Sequence, residues 1–167
     1  IPNEVISIGD KAFAGCHGLK NLSLPSKLNY VGSFEFCKNI KSISLPDSTK
    51  DTADGMFTGC EMLTSVKLPR KLKAIKAYDF ADCRKLTKLN IPVTVKVVYM
   101  SAFAGSGLKK IVLPSNVQKI RNGNDGQKVF EYIKGIGYPT KNLRVIEIHS
   151  KKVKSIQKNS FSGLSSK

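Results

Sequence analysis

The chain has 167 residues, of which 41% are hydrophobic, so it is long enough for one domain with a substantial core. It carries 28 Lys and Arg against 12 Asp and Glu, a net charge of +16 that favours anionic partners such as nucleic acid, acidic glycans, cell-wall polymers or acidic proteins. No apolar run reaches the roughly 18 residues that suggest a membrane helix, and no basic-then-apolar leader indicates a signal peptide, so neither is predicted here.

The first predicted element is a short strand that ends at a proline. Its sequence, LKNLSLP at 19–25, returns as IKSISLP at 40–46, LTSVKLP at 63–69, LTKLNIP at 86–92 and LKKIVLP at 108–114. Apolar residues alternate at the end of each copy, which predicts a strand with one buried face. The proline ends the strand because it has no N–H for a ladder. We call these elements the principal strands and expect six, the last beginning at Leu143.

The second half of each unit follows the proline. It begins with two apolar residues three positions apart, such as Val5 and Ile8, and continues into a short turn. Asp10 is expected to cap the amides of the first turn, and Gly15 to permit its left-handed exit. Phenylalanine recurs at positions 13, 34, 57, 80, 103, 130 and 161, with a cysteine three residues after each of the first four. These markers predict a tandem array whose stacked units share one core, because a single unit cannot bury its apolar face.

The first unit, IPNEVISIGDKAFAGCHGLKNLSLP, resembles the BspA-like, treponemal-type leucine-rich repeat. The shared pattern is P-x-x-V-x-x-I-G-x-x-A-F-x-x-C-x-x-L-x-x-I-x-L-P, and the resemblance extends over essentially the whole chain. It implies a right-handed leucine-rich-repeat solenoid, a β-rich α/β fold with a parallel sheet on one face and short strands and turns on the other. It also implies a repeat region of a secreted or surface protein of bacteria or parasitic protists, often an adhesin or interaction scaffold, with no shared catalytic residues.

Some units depart from the pattern. The second is two residues shorter between Val31 and Phe34, so its turn is expected to be tighter. The third has Thr49 and Thr52 at the apolar pair, which predicts weak packing there. We expect one leucine-rich-repeat domain over 1–167, which opens and stops inside units and is therefore expected to be a segment of a longer array.

Irregular insertions interrupt the period at 121–142. Insertions in repeat proteins form loops that often border a binding site, although drift near the end of an array would also account for them. The second insertion, EYIKGIGYPTK, mixes aromatic and basic residues and is a candidate binding loop. Its candidate residues are Tyr132, Lys134, Tyr138 and Lys141.

The four cysteines follow the repeat, at spacings of 21, 23 and 23 residues, and form no C-x-x-C pair, which disfavours zinc. Rungs about 4.8 Å apart would bring their Cα atoms within disulfide range, but parallel Cβ vectors orient the sulfurs poorly. Buried free thiols are therefore predicted. Asp47, Asp51 and Asp54 lack the spacing of a calcium loop and are expected in turns and caps. No catalytic residue, metal or cofactor is predicted.

The exposed positions of the principal strands offer a candidate binding face. Seven of their eighteen residues are basic and only Glu147 is acidic. The basic residues are Lys20, Lys41, Lys67, Lys88, Lys109, Lys110 and Arg144. Such a face would attract polyanions, but aromatics are not interleaved, so single-stranded nucleic acid is not supported. Lysines such as Lys73 and Lys96 on the opposite side leave a second interpretation open, a lysine-rich surface that serves solubility.

Three functions follow as hypotheses. The first is a non-catalytic, surface or secreted recognition module that binds a protein or glycan partner, in the manner of an adhesin. The second is a charge-driven binder of a glycosaminoglycan or cell-wall polymer. The third is a passive repeat spacer.

Overall fold

The computed structural model describes residues 1–121 and 145–156. Within these ranges each unit contributes up to two short strands, a principal strand before the proline and a second strand after it. The principal strands are β3 (Ser42–Ser44), β5 (Ser65–Lys67), β8 (Lys110–Leu113) and β10 (Val145–Ile148). The second strands are β1 (Ser7–Ile8), β2 (Tyr30–Val31), β4 (Asp51–Thr52), β6 (Ala74–Ile75), β7 (Val97–Tyr99), β9 (Lys119–Arg121) and β11 (Ser155–Ile156).

Helical structure is limited in this part of the chain to one 3₁₀ turn, Met100–Phe103. No helix among the described residues has the length and apolar character needed to cross a bilayer. The fold is therefore built almost wholly from parallel strands and turns, as the predicted solenoid requires.

The principal strands pair in parallel and in the register of the repeat. β3 lies against β5, with Ser42 opposite Ser65 and Ser44 opposite Lys67. β8 lies against β10, with Lys110 opposite Val145. The first and fourth copies, at 19–25 and 86–92, form no strand among the described residues, so the prediction of six principal strands is wrong for these two. Their leucines still pack against the core, because apolar burial sets the register even where the backbone ladder is not made.

The second strands form two parallel sheets. One has the order β1-β2-β4 and the other the order β11-β9-β7-β6. Equivalent residues of successive units face each other, as in the pairs Ile8 with Val31 and Ile75 with Val98. β4 and β6 do not pair with each other, so the stack of second strands is interrupted at the junction of the third and fourth units.

The turns add a third set of contacts between units. The phenylalanine N–H donates to a carbonyl of the following unit, from Phe34 to Met56 at 2.7 Å and from Phe57 to Asp79 at 2.9 Å. The residue two positions after the repeat phenylalanine is left-handed in the five described units, with φ between 57° and 69°, which confirms the prediction for Gly15. This slot is occupied by Gly15, Phe36, Gly59, Asp82 and Gly105.

The core consists of ladders of equivalent side chains. Five phenylalanine rings, from Phe13 to Phe103, stack with centroids 5.5 to 6.3 Å apart and planes within 25°. Offset stacks at these distances add to the stabilisation that burial alone provides. The predicted aromatic ladder is thus confirmed for these five units, while Phe130 and Phe161 lie outside the described residues.

The irregular units show how the stack accommodates sequence change. Thr49 and Thr52 are fully buried, so the prediction of weak packing there is wrong; the threonine methyl groups occupy the apolar slots. Within the described structure their hydroxyls have no hydrogen-bond partner, which carries a desolvation cost. In the shortened second unit, a Cβ on Gly32 would lie 2.0 Å from the Gly9 carbonyl oxygen, so only glycine permits this close approach to the first unit.

Candidate interaction surfaces

The principal face carries the predicted basic residues, but the register distributes them over three rows. Lys20, Lys41 and Lys109 hold the first exposed position of the motif, Lys88 and Lys110 the second, and Lys67 the third. All six are exposed. Arg144 and the loop residues Tyr132, Lys134, Tyr138 and Lys141 lie outside the described residues. The lysines are therefore scattered over the face and do not form one continuous line along it.

Most of the remaining exposed positions on this face carry hydroxyl or amide groups. A groove opens between the first copy of the motif and β3, and its polar lining comprises Asn21, Ser23, Ser26, Ser42 and Ser44. Leu22, Leu24 and Pro46 complete the groove. Short side chains with both donors and acceptors leave the backbone accessible, and they suit hydrogen bonding to a peptide or a sugar.

One ion pair reduces the charge at the far end of the face. The Lys110 ammonium lies 2.7 Å from Glu147, and His149 approaches the other oxygen of the same carboxylate at 3.5 Å. The hydrogen bond from Lys110 lowers the pKa of Glu147 below its ordinary value. Glu147 is thus held as a carboxylate at the far end of the predicted basic surface.

The cysteines make a ladder of weak hydrogen bonds rather than a reactive site. The thiols of Cys37, Cys60 and Cys83 donate to the phenylalanine carbonyl of the preceding unit, at 2.9, 3.2 and 3.1 Å. All three are buried free thiols, as predicted, whereas Cys16 is half-buried. Burial raises the pKa of Cys60 to about 12 and that of Cys83 well above its ordinary value, so neither forms a nucleophilic thiolate at neutral pH.

The carboxylates of the third unit are engaged by basic residues of the fourth. Asp47 accepts from the backbone N–H and the side chain of Arg70, at 2.9 and 2.7 Å, and these hydrogen bonds lower its pKa. Asp51 lies 2.9 Å and Asp54 3.8 Å from the Lys76 ammonium. Among the described residues, no three His, Cys, Asp or Glu side chains are grouped to hold a metal ion.

Two further features, one hydrogen bond and one buried carboxyl group, were not evident from the sequence. Asp10 accepts a hydrogen bond from the Tyr30 hydroxyl, and this bond, together with burial, raises the pKa of Tyr30 to about 12. Asp79 is almost completely buried, 1% exposed, at the slot before phenylalanine that holds alanine in the first and fifth units. The sequence signal for this buried aspartate was a charged residue type in a slot that holds alanine in other units.

Comparison with known proteins places the repeat among characterised sequences and structures. The family described as BspA type leucine rich repeat region matches residues 1–105, in six copies. A search of curated proteins finds no match.

Solved structures show the same fold. A leucine-rich repeat protein of T. pallidum is similar to 93% of the chain, at 26% identity and a TM-score of 0.74, and the chain covers 71% of it. One from Bacteroides ovatus is similar to 98% of the chain, at 26% identity and a TM-score of 0.58, with 46% of that protein covered. A leucine rich cell surface protein from Faecalibacterium prausnitzii matches 86% at 20% identity and a TM-score of 0.60, with 34% of it covered. The predicted leucine-rich-repeat fold is thus confirmed.

Proposed function

Because this chain belongs to the BspA-type leucine-rich repeat family, whose repeats suggest a protein-interaction module, we propose that it is a recognition module for a protein or glycan partner. The family is generally non-enzymatic, and the proposed function needs no cofactor. Proteins of this type are typically secreted or held at the cell surface, so the proposed site of action is extracellular, in the manner of an adhesin.

The observation that supports this proposal is the composition of the principal face. Its buried positions repeat from unit to unit, whereas its exposed positions can change, as Ser44 opposite Lys67 shows. A rigid sheet that holds variable side chains in fixed rows can recognise a shaped partner with little loss of side-chain entropy, since serine and threonine have few rotamers. The groove at Asn21, Ser23 and Ser44 supplies a recess in this surface.

The test compares two double variants with the same charge change on opposite sides of the solenoid. Ser42→Glu with Ser65→Glu alters the principal face, and Ser7→Glu with Ser155→Glu, both exposed on second strands, alters the other side. Both are screened against immobilised extracellular matrix proteins and a glycan array. We expect the first variant to bind the strongest partner of the parent chain at least about tenfold more weakly. The second should change the affinity for that partner less than about twofold. Equal loss in both variants, or no binding by the parent chain, would contradict the proposal.

The charge-driven alternative is kept for the same face because of the +16 net charge. Its support is reduced by the scatter of the six lysines over three rows and by the pairing of Lys110 with Glu147. Salt separates the alternatives, since exposed charges are screened beyond about 8 Å at physiological ionic strength. Partner binding that survives several hundred millimolar salt would exclude an electrostatic mechanism on this face.

The spacer alternative assigns no partner to the chain at all. It predicts that neither double variant nor deletion of 121–142 changes attachment to cells or matrix. Loss of attachment on deletion, with unchanged thermal unfolding, would exclude a passive role.

A further inference from the structure

A line of lysines runs along the side opposite the principal face. Lys50, Lys73 and Lys96 hold the same position in three successive units, each immediately before a second strand. The Lys96 N–H donates to the Lys73 carbonyl at 2.8 Å, which fixes these two residues as neighbouring rungs. The line continues through Gln118 to Lys154 by two further hydrogen bonds of 2.8 Å. We call Lys50, Lys73, Lys96 and Lys154 the basic ladder.

The charges of the basic ladder are not neutralised by nearby carboxylates. All four lysines are exposed, and no carboxylate of a described residue lies within 4 Å of Lys50, Lys73 or Lys96. The acidic residues of the third unit are already engaged, Asp47 by Arg70, and Asp51 and Asp54 by Lys76. The principal face differs, since there Lys110 is paired with Glu147.

Lys73 and Lys96 repel each other in the free protein because they are like charges on neighbouring rungs, while Lys50 lies across the interruption between β4 and β6 and Lys154 lies two rungs beyond Lys96. Rungs of a parallel stack are about 4.8 Å apart, which is well within the screening length at physiological salt. Like charges directly opposite each other destabilise a sheet. A bound anionic chain would relieve this repulsion while it releases its own counterions, so both partners favour the complex.

We propose that the basic ladder binds a linear sulfated polysaccharide, which lies along the axis of the stack. A row of lysines on successive units matches a linear chain of repeating anionic groups. The residues that follow Lys50, Lys73 and Lys96 are Asp51, Ala74 and Val97, which offer no aromatic surface, and the guanidinium of Arg121 lies over the nearby Tyr99 ring, so stacking of single-stranded nucleic acid is disfavoured. This site lies on the side opposite the face of the proposed function and does not depend on it.

The test uses heparin as the probe and two triple variants with matched charge. Lys50→Gln, Lys73→Gln and Lys96→Gln remove three of the four ladder lysines, and Lys11→Gln, Lys38→Gln and Lys85→Gln remove three exposed lysines of the turns, outside both surfaces. Each lowers the net charge from +16 to +13, that is 16 − 3. Since all six lysines are exposed, both variants should unfold at nearly the parent temperature.

We expect the ladder variant to bind heparin at least about tenfold more weakly, and its log–log salt slope to fall by about 2, near 0.7 for each lysine lost. The control should weaken less than about threefold, because its lysines contribute only to the general field. Equal weakening in both variants would overturn the proposal. A single-stranded oligo-dT probe is expected to lose affinity equally in both; a loss confined to the ladder variant and as large as that for heparin would overturn the choice of polysaccharide.

Discussion

The backbone N–H of Lys76 donates to the carboxyl group of Asp79 at 2.7 Å, instead of joining the ladder of second strands. At the equivalent positions, the Gly32 N–H donates to the Ile8 carbonyl and the Ala53 N–H to the Val31 carbonyl. In the fourth unit the Lys76 ammonium takes over this role, since it donates to the Thr52 carbonyl at 2.5 Å. A side chain therefore bridges the interruption between β4 and β6.

Replacement of Lys76 by methionine should destabilise the junction between the third and fourth units. The change removes the hydrogen bond to Thr52 and leaves Asp51 and Asp54 without the ammonium that contacts them. We expect the free energy of unfolding to fall by about 1.5–3 kcal/mol, the range for charge-assisted hydrogen bonds. Lys73→Met is the matched control and should stay within about 0.5 kcal/mol, because Lys73 is exposed. Similar losses in urea titrations of both variants would exclude the bridge.

The buried carboxyl of Asp79 should make stability depend on pH. Burial raises its pKa to about 8, against the hydrogen bonds from Lys76 and Met56 that would lower it. An unfolded aspartate ionises near about pH 4. Between these values the unfolded chain binds fewer protons than the folded one, so stability contributed by this group falls as pH rises from about 4 to about 8 and levels off above.

Asp79→Asn isolates this effect, because asparagine keeps an acceptor and cannot ionise. Unfolding by denaturant at pH 5, 7 and 9 should show a decline in the parent, on the order of a few kcal/mol, that the variant lacks. The same decline in both proteins would assign it to other groups. Asp79→Ala should be destabilised at pH 5 by about 1–3 kcal/mol, because it leaves the Lys76 N–H without its acceptor.

Glycine at the left-handed position of the fourth unit should raise the stability of the protein. Asp82 has φ 57°, a conformation that costs a residue with a Cβ about 1 kcal/mol or more. Burial also raises the pKa of its carboxyl to about 6, so ionisation in the folded state carries a further cost. Asp82→Gly is expected to raise the free energy of unfolding by about 1 kcal/mol at pH 4 and by more at pH 8, as measured in urea.

Gly59 holds the same slot in the third unit and should respond in the opposite direction. It has φ 69°, and an added Cβ would lie 2.6 Å from Cδ1 of Phe36. Gly59→Ala is therefore expected to lower the free energy of unfolding by about 1–3 kcal/mol. If alanine were tolerated here, or if Asp82→Gly were destabilising, backbone strain would not govern this slot.

Loss of a hydrogen-bond donor from the cysteine ladder should lower stability more than the exchange of a thiol for a hydroxyl group. The Cys83 thiol donates to the Phe57 carbonyl, and serine already holds the equivalent slot at Ser106. We expect Cys83→Ser to be less destabilising than Cys83→Val, which fills the slot but removes the thiol donor and leaves the Phe57 carbonyl with the Cys60 N–H alone, at a cost of about 0.5–1.5 kcal/mol. Thermal unfolding of both variants gives the comparison, and the reverse order would assign the slot to packing alone.

Much of the candidate face could be predicted from the sequence, and its charge arrangement could not. The period placed Lys20, Lys41 and Lys88 on exposed strand positions, because each lies between apolar residues that must face the core. Whether such lysines share a row depends on which of three exposed positions each occupies, and whether a carboxylate offsets their charge depends on neighbours such as Glu147. Neither property can be predicted from the repeat motif alone.

The sequence by itself determined the repeat, its stacked phenylalanines and its buried thiols, because equal residues at an equal period must meet when units stack. Only the tertiary structure decided that Thr49 and Thr52 enter the core, that Lys76 bridges a missing rung, and that Lys73 and Lys96 form one line. These features are contacts between units, and their energies depend on the distance and solvation of groups that lie more than twenty residues apart in the chain.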